Sequence, residues 1–261
     1  MTDSASLKID RAANHARELI KLLNENRPFS YVLETNTQTR KRATFAKKNE
    51  AVVMEAAVIC GDIVHNLRTA LDHAFWQIVS PYVSEHEERT VQFPFCREPH
   101  RLDTAIEQRF ANRVSTRFVD ALRSLRPHTN KGGNHYLWFV HEFDLGDKHR
   151  LLIPIGDYTF LSGADIRRQG VPDFPFHAQV HFGENERDVT WDYTGPIPSD
   201  RLGSPSSSAP HLFERELQVA VEAVFPIRVE INRPLTPVIQ TINRMRLATS
   251  EAVSKVREAV S

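Results

Sequence analysis

The chain reads as an α+β protein: an N-terminal helical bundle, a C-terminal antiparallel β-sheet and a closing helix. Three observations carry that expectation. Apolar residues recur at helical spacing through much of residues 1–150. Short alternating runs, punctuated by glycine and proline, dominate from residue 151 onward. A last helical pattern fills residues 235–260. Helices, then strands, then a helix argue against a doubly wound sheet, which needs strict alternation. The expected division is a mainly helical region over residues 1–150 that carries the candidate site, and a β-rich region with the closing helix over residues 151–261, the two sharing one core.

Taken in order, residues 4–26 form an amphipathic helix. Leu7, Ala12, Ala16, Leu19, Ile20 and Leu23 recur at its spacing, Asp3 or Ser4 can cap it, and Pro28 ends it. Tyr31, Leu33, Thr35 and Thr37 alternate within residues 29–45, which predicts a strand or hairpin. A long helix spans residues 49–80 and stops at Pro81. Pro94 and Pro99 bracket a loop, and residues 101–126 hold one or two helices ended by Pro127. Residues 135–145 form a helix rich in large apolar side chains, with Gly146 as its end. In the second half, residues 151–155 read as a buried strand. Residues 177–182 and 188–193 read as a hairpin around Gly183, GSPSSSAP at 203–210 as a flexible loop, and 213–229 as one or two strands. Pro234 stands at the start of the final helix, a position that proline tolerates.

Bulk composition narrows the function classes. The chain is 41% hydrophobic and 25% charged, which fits a folded globular protein rather than a disordered one. Lys+Arg and Asp+Glu are both 33, so net charge does not mark a general binder of nucleic acid or membrane. Cys60 and Cys96 form no C-x-x-C pair, and two lone thiols fit a reducing compartment. No run approaches the roughly 20 apolar residues of a membrane span. The N-terminus also lacks an apolar segment of signal-peptide length. The expectation is a cytoplasmic protein with no membrane partner, no cofactor and no resident metal.

The helix over residues 49–80 carries the strongest signal. At 100° per residue, Ala56, Cys60, Ile63, Val64, Leu67, Leu71, Ala74, Phe75 and Ile78 share one face. The opposite arc holds Asp62, His65, Asn66, Thr69, Asp72 and His73, with Arg68 on its flank. Asp, His, Asn and Thr are poor helix formers, so propensity did not select them. Met54, Val58 and Trp76 lie on the same arc, beyond both ends of the polar group. A polar middle with apolar ends suits a buried or interfacial site. Arg68 and Asp72 are spaced to pair, and a carboxylate beside an imidazole fixes the tautomer that acid–base chemistry needs.

Arg68 and His73 also spell R-x4-H, which resembles the signature of the HEPN superfamily. The resemblance covers one helix. It implies a metal-independent ribonuclease, toxin or defence related. In such a protein Arg68 stabilises phosphate charge, His73 serves as acid or base, and His65, Asn66, Asp72 and Asp62 support them. It further implies RNA as the partner and a homodimer with this helix at or near the seam. A second R-x4-H, Arg123 to His128, passes through Pro127 and cannot be one helix. The longer strings HNLRTALDH and GDKHR are also similar to a group of bacterial proteins, a likeness that implies no activity.

His141, Glu142, Asp144, Asp147, Lys148, His149 and Arg150 form a second cluster. Lys148, His149 and Arg150 are candidate substrate contacts, or cations settled at a helix C-terminus. Two further readings stay open. Asp62, His65, Asp72, His73 and His149 are suitable ligands for the divalent ion of a metal-dependent hydrolase. The arc also serves a non-enzymatic interaction or ligand-binding protein, as an internally satisfied polar network.

Overall fold

The computed structural model describes residues 3–129, 132–149, 156–158, 160–175, 179–181, 189–196, 199, 202–206, 209–219, 221–225 and 236–261. The fold is α+β. In chain order its elements are α1 (Ser4–Glu25), β1 (Phe29–Asn36), β2 (Lys41–Lys48), α2 (Glu50–Val79), α3 (Leu102–Gln108), α4 (Thr116–Leu125), α5 (His135–His149), β3 (Gly156–Tyr158), β4 (Phe160–Ser162), α6 (Gly163–Arg168), β5 (Gln179–His181), β6 (Val189–Asp192), β7 (Ser204–Ser206), β8 (Ala209–Leu217), β9 (Glu222–Phe225), β10 (Thr236–Pro237) and α7 (Val238–Glu258). Among the described residues no helix is long and apolar enough to cross a membrane.

The folded chain does not divide at residue 150. One compact unit gathers Met1–Leu22, Glu55–Pro154 and Ile239–Ser261; the other gathers Leu23–Met54 and Ile155–Val238. The cause is strand pairing at long range. β1 pairs antiparallel with β2 on one side and β8 on the other, so the first hairpin belongs with the strands of the second half. The closing helix belongs with the helical unit.

In the helical unit, α2 is the central element. Its predicted core face is buried from Ala56 to Phe75, and Ile78 is half-buried at the edge. Gly61 lies buried within the continuous helix, so Asp62 is an interior residue and not an N-cap. Phe75 meets Phe93 edge-on at 6.1 Å and Phe118 at 5.8 Å. The Ser115 hydroxyl caps α4 by accepting the Phe118 N–H at 3.1 Å. The helix breaks after Leu125, where Arg126 takes φ +48, so Arg123 and His128 share no helix.

In the sheet unit, five antiparallel strands run in the order β6-β2-β1-β8-β7. The β1–β2 turn is held by Asn36, whose side-chain oxygen accepts the N–H groups of Gln38 and Thr39. The hairpin expected from residues 177–182 and 188–193 does not form in the described residues. β5 pairs with β4, and β6 pairs with β2. β6 gains a better-buried place there: Trp191 is 9% exposed, donates its Nε1–H to Asp173 at 2.9 Å and meets Phe174 edge-on. The stretch read as a loop at 203–210 contributes β7 and the start of β8. Pro205 is accommodated because β7 is an edge strand with a register shift at that residue. The strand expected at residues 151–155 lies outside the described residues.

Helix α5 runs past Gly146 to His149, so Gly146 does not end it. A Cβ at Gly146 would meet nothing within 4 Å. Gly146→Ala should therefore raise stability by about 0.5–1 kcal/mol through the unfolded chain. Phe75→Ala should lower it by about 3–5 kcal/mol, because it empties a fully buried aromatic site. Urea unfolding midpoints for the two variants check both signs.

Candidate functional site

The polar arc of α2 is met by α5 along two rungs. His65 Nδ1 lies 3.1 Å from Asp144 Oδ1. One turn on, an Nη1–H of Arg68 donates to His141 Nδ1 at 2.8 Å. His65 and Arg68 are i,i+3 on α2, and Asp144 and His141 are i,i+3 in the reverse sense on α5. The two helices are therefore antiparallel where they meet, and each rung is fixed by helical spacing.

Arg68 closes inward. Its Nε–H and an Nη2–H donate to Asp72 at 2.9 and 3.0 Å, a bidentate pair that the i,i+4 spacing allows. Asp72 Oδ1 also accepts the Phe93 N–H at 2.9 Å. The guanidinium carbon sits 4.7 Å from the centre of the Phe95 ring, and Phe95 stacks parallel to His141 at 4.6 Å. Trp138 meets His141 edge-on. A guanidinium can only donate, so His141 accepts through Nδ1 and its neutral form carries the proton on Nε2. Arg68 is 7% exposed, so this charge is stabilised by paired acceptors rather than by water.

His65 is the opposite case. Its side chain is 49% exposed, while its partner Asp144 is buried. A buried carboxylate that accepts the Nδ1–H leaves Nε2 as the acceptor of a half-exposed ring. This is the acid–base element that the arc offers. His73 is held differently: its Nδ1 is buried with no hydrogen-bond partner among the described residues. No hydrogen bond or ring contact joins it to Arg68, so the two ends of R-x4-H are not brought together.

The remaining residues separate cleanly. Asn66 is buried and donates its side-chain N–H to the Asp62 carbonyl at 2.7 Å, one turn back along the helix. Asp62 itself is exposed. Lys148 and His149 belong to the last turn of α5, and their side chains, with all of Arg150, lie outside the described residues. Among the described residues no three His, Cys, Asp or Glu side chains are placed to hold a metal ion. Asp62, His65, Asp72 and His73 do not converge. Sequence reasoning missed the roles of His141, Asp144 and Phe95. The signal for His141 and Asp144 was the second polar cluster in an otherwise apolar helix, which needed a tertiary partner; Phe95 carried none.

No family model, no curated protein and no solved structure matches this chain.

Arg68→Ala leaves Asp72 without its cation, and loss should be about 3 kcal/mol, the low end of the range because Asp72 keeps 29% exposure. Arg68→Lys should recover only part of this, since lysine cannot form the bidentate pair. Chemical denaturation of both variants measures the difference. Elsewhere in the helical unit, burial, reinforced by Arg126 and His135, holds the His128 imidazole below its ordinary 6.5. The depressed value means that the unfolded chain takes up the proton first. The stabilising contribution is full above 6.5 and is lost as pH falls toward the folded value. His128→Gln should flatten the acid limb of the stability–pH curve below pH 6.5. An unchanged limb would contradict this.

Proposed function

We propose that the α2–α5 face is the active site of a HEPN-like, metal-independent ribonuclease, with His65 in the acid–base role and Arg68 as the residue that positions it. One observation carries the reading: the exposed imidazole of His65 is held at 3.1 Å by the buried carboxylate of Asp144. RNA supplies its own nucleophile, the 2′-hydroxyl, so cleavage asks the protein for proton transfer and charge rather than for a reactive side chain. Nε2 of His65 takes the 2′-hydroxyl proton as that oxygen bonds to phosphorus. The bond to the 5′-oxygen breaks, and a second acid returns a proton to it.

His73 cannot be that acid within one protomer. Eight residues separate it from His65, roughly 12 Å of helix rise. The proposal places the acid on a second copy. Val58 and Trp76 are exposed at 48% and 43% and bracket the polar arc. Two α2 helices packed antiparallel would set apolar end against apolar end, with an imidazole from each copy facing the seam.

A second reading, a binding protein without catalysis, is favoured by the inward closure of Arg68, which leaves that cation bound to Asp72 and His141. A labelled single-stranded RNA incubated with the purified protein in EDTA separates the two. The ribonuclease reading expects cleavage, and His65→Ala should slow it by about 10²–10⁴-fold without loss of fold. Asp144→Asn should slow it by at least about tenfold by releasing the tautomer. RNA that is bound but left intact by the wild type would remove the ribonuclease reading and leave the binding one.

A further inference from the structure

The helical unit has a second feature, which shares Phe95 with the Arg68 rung but neither His65 nor Asp144. A cavity of about 500 Å³ opens between the segment from Phe95 to Glu98 and one face of α3. Arg101, from the turn before α3, and Thr104, Ala105 and Gln108 line it at i, i+3, i+4, i+7 spacing, and Arg97 lines it too. The volume lies within the range for small-molecule sites and is suited to a ligand of mononucleotide size.

Its charges are unbalanced. The guanidiniums of Arg97 and Arg101 have no hydrogen-bond or ion-pair partner among the described residues. Asp103 of α3 does not line the pocket and is taken by Arg123 at 2.8 Å. Glu98 is the one acid of the lining, and its field also acts on His128, whose affinity for a proton it raises. Cys96 also lines the pocket. Burial and the charge of Glu98 push its thiol up, so it stays protonated and adds no negative charge. Two guanidiniums, a hydroxyl and a carboxamide thus line one solvent-open pocket. All of them can donate hydrogen bonds, the arginines in bidentate fashion.

We propose that this cavity binds a phosphate group, carried either by a free mononucleotide or by one nucleotide of an RNA strand. The phosphate oxygens accept from Arg97 and Arg101, with Thr104 and Gln108 completing the donor set. The site stands on its own geometry and holds whether or not His65 performs catalysis.

Equilibrium binding to the full chain tests it, with 5′-AMP, adenosine, inorganic phosphate and a short single-stranded RNA as probes. The expected result is binding of 5′-AMP or of the RNA by the wild type. Arg97→Ala/Arg101→Ala should weaken that binding by about tenfold or more, and added salt should weaken it further. Both arginines are exposed, so the double variant should keep the fold, which its circular dichroism spectrum checks. Arg89→Ala/Arg117→Ala removes the same charge elsewhere on the surface and should leave binding within about twofold. Tighter binding of 5′-AMP assigns a free nucleotide, and tighter binding of the strand assigns RNA. The proposal is overturned if adenosine binds as well as 5′-AMP, if the cavity variant binds like the wild type, if the control variant loses as much, or if no probe binds.

Discussion

A buried guanidinium must find acceptors, and the helical unit is organised around how Arg68 finds them. Three parts of the chain, one local and two distant in sequence, converge on this one side chain. Asp72 supplies both carboxylate oxygens from the same helix, His141 supplies a ring nitrogen from α5, and Phe95 supplies a ring face from the loop between α2 and α3. Asp72 then reaches back to the Phe93 backbone. Each partner has a second contact of its own: Phe95 on His141, His141 on Trp138, Phe93 on Phe75. Removing the charge would not delete one bond; it would leave several polar groups without partners in a poorly solvated place.

The same constraint produces the site. With Arg68 and His141 fixed as one rung, the next rung along the antiparallel helices is His65 and Asp144. The two rungs differ in exposure. Arg68 is enclosed and holds the helices in register. His65 is half-exposed and in contact with a buried carboxylate. A rigid element that presents a tautomer-fixed imidazole is how a scaffold prepares acid–base chemistry.

Much of this was legible in the sequence, within a definite limit. The core stripe of α2, the polar arc and its apolar ends all follow from a 3.6-residue period, and the folded helix keeps them. Arg68 with Asp72 was legible too, because i,i+4 spacing is local. The partners across space were not. Nothing in a linear pattern says that Asp144 meets His65 or that a loop phenylalanine covers Arg68. The R-x4-H spacing selected Arg68 for a phosphate, whereas its tertiary partners draw it inward. The sheet failed in the same way. Residues 177–182 and 188–193 look like a local hairpin, yet β6 completes a sheet begun more than a hundred residues earlier. Local turn chemistry competes with burial of Trp191, and burial wins.

The claim that everything else rests on is the coupling of α2 to α5 through Arg68 and His141. A double-mutant cycle measures it: the unfolding free energies of the wild type, Arg68→Lys, His141→Phe and the double variant. Direct contact predicts a coupling of about 1–2 kcal/mol between the two sites. Additivity within about 0.3–0.5 kcal/mol, the behaviour of independent positions, would contradict the account.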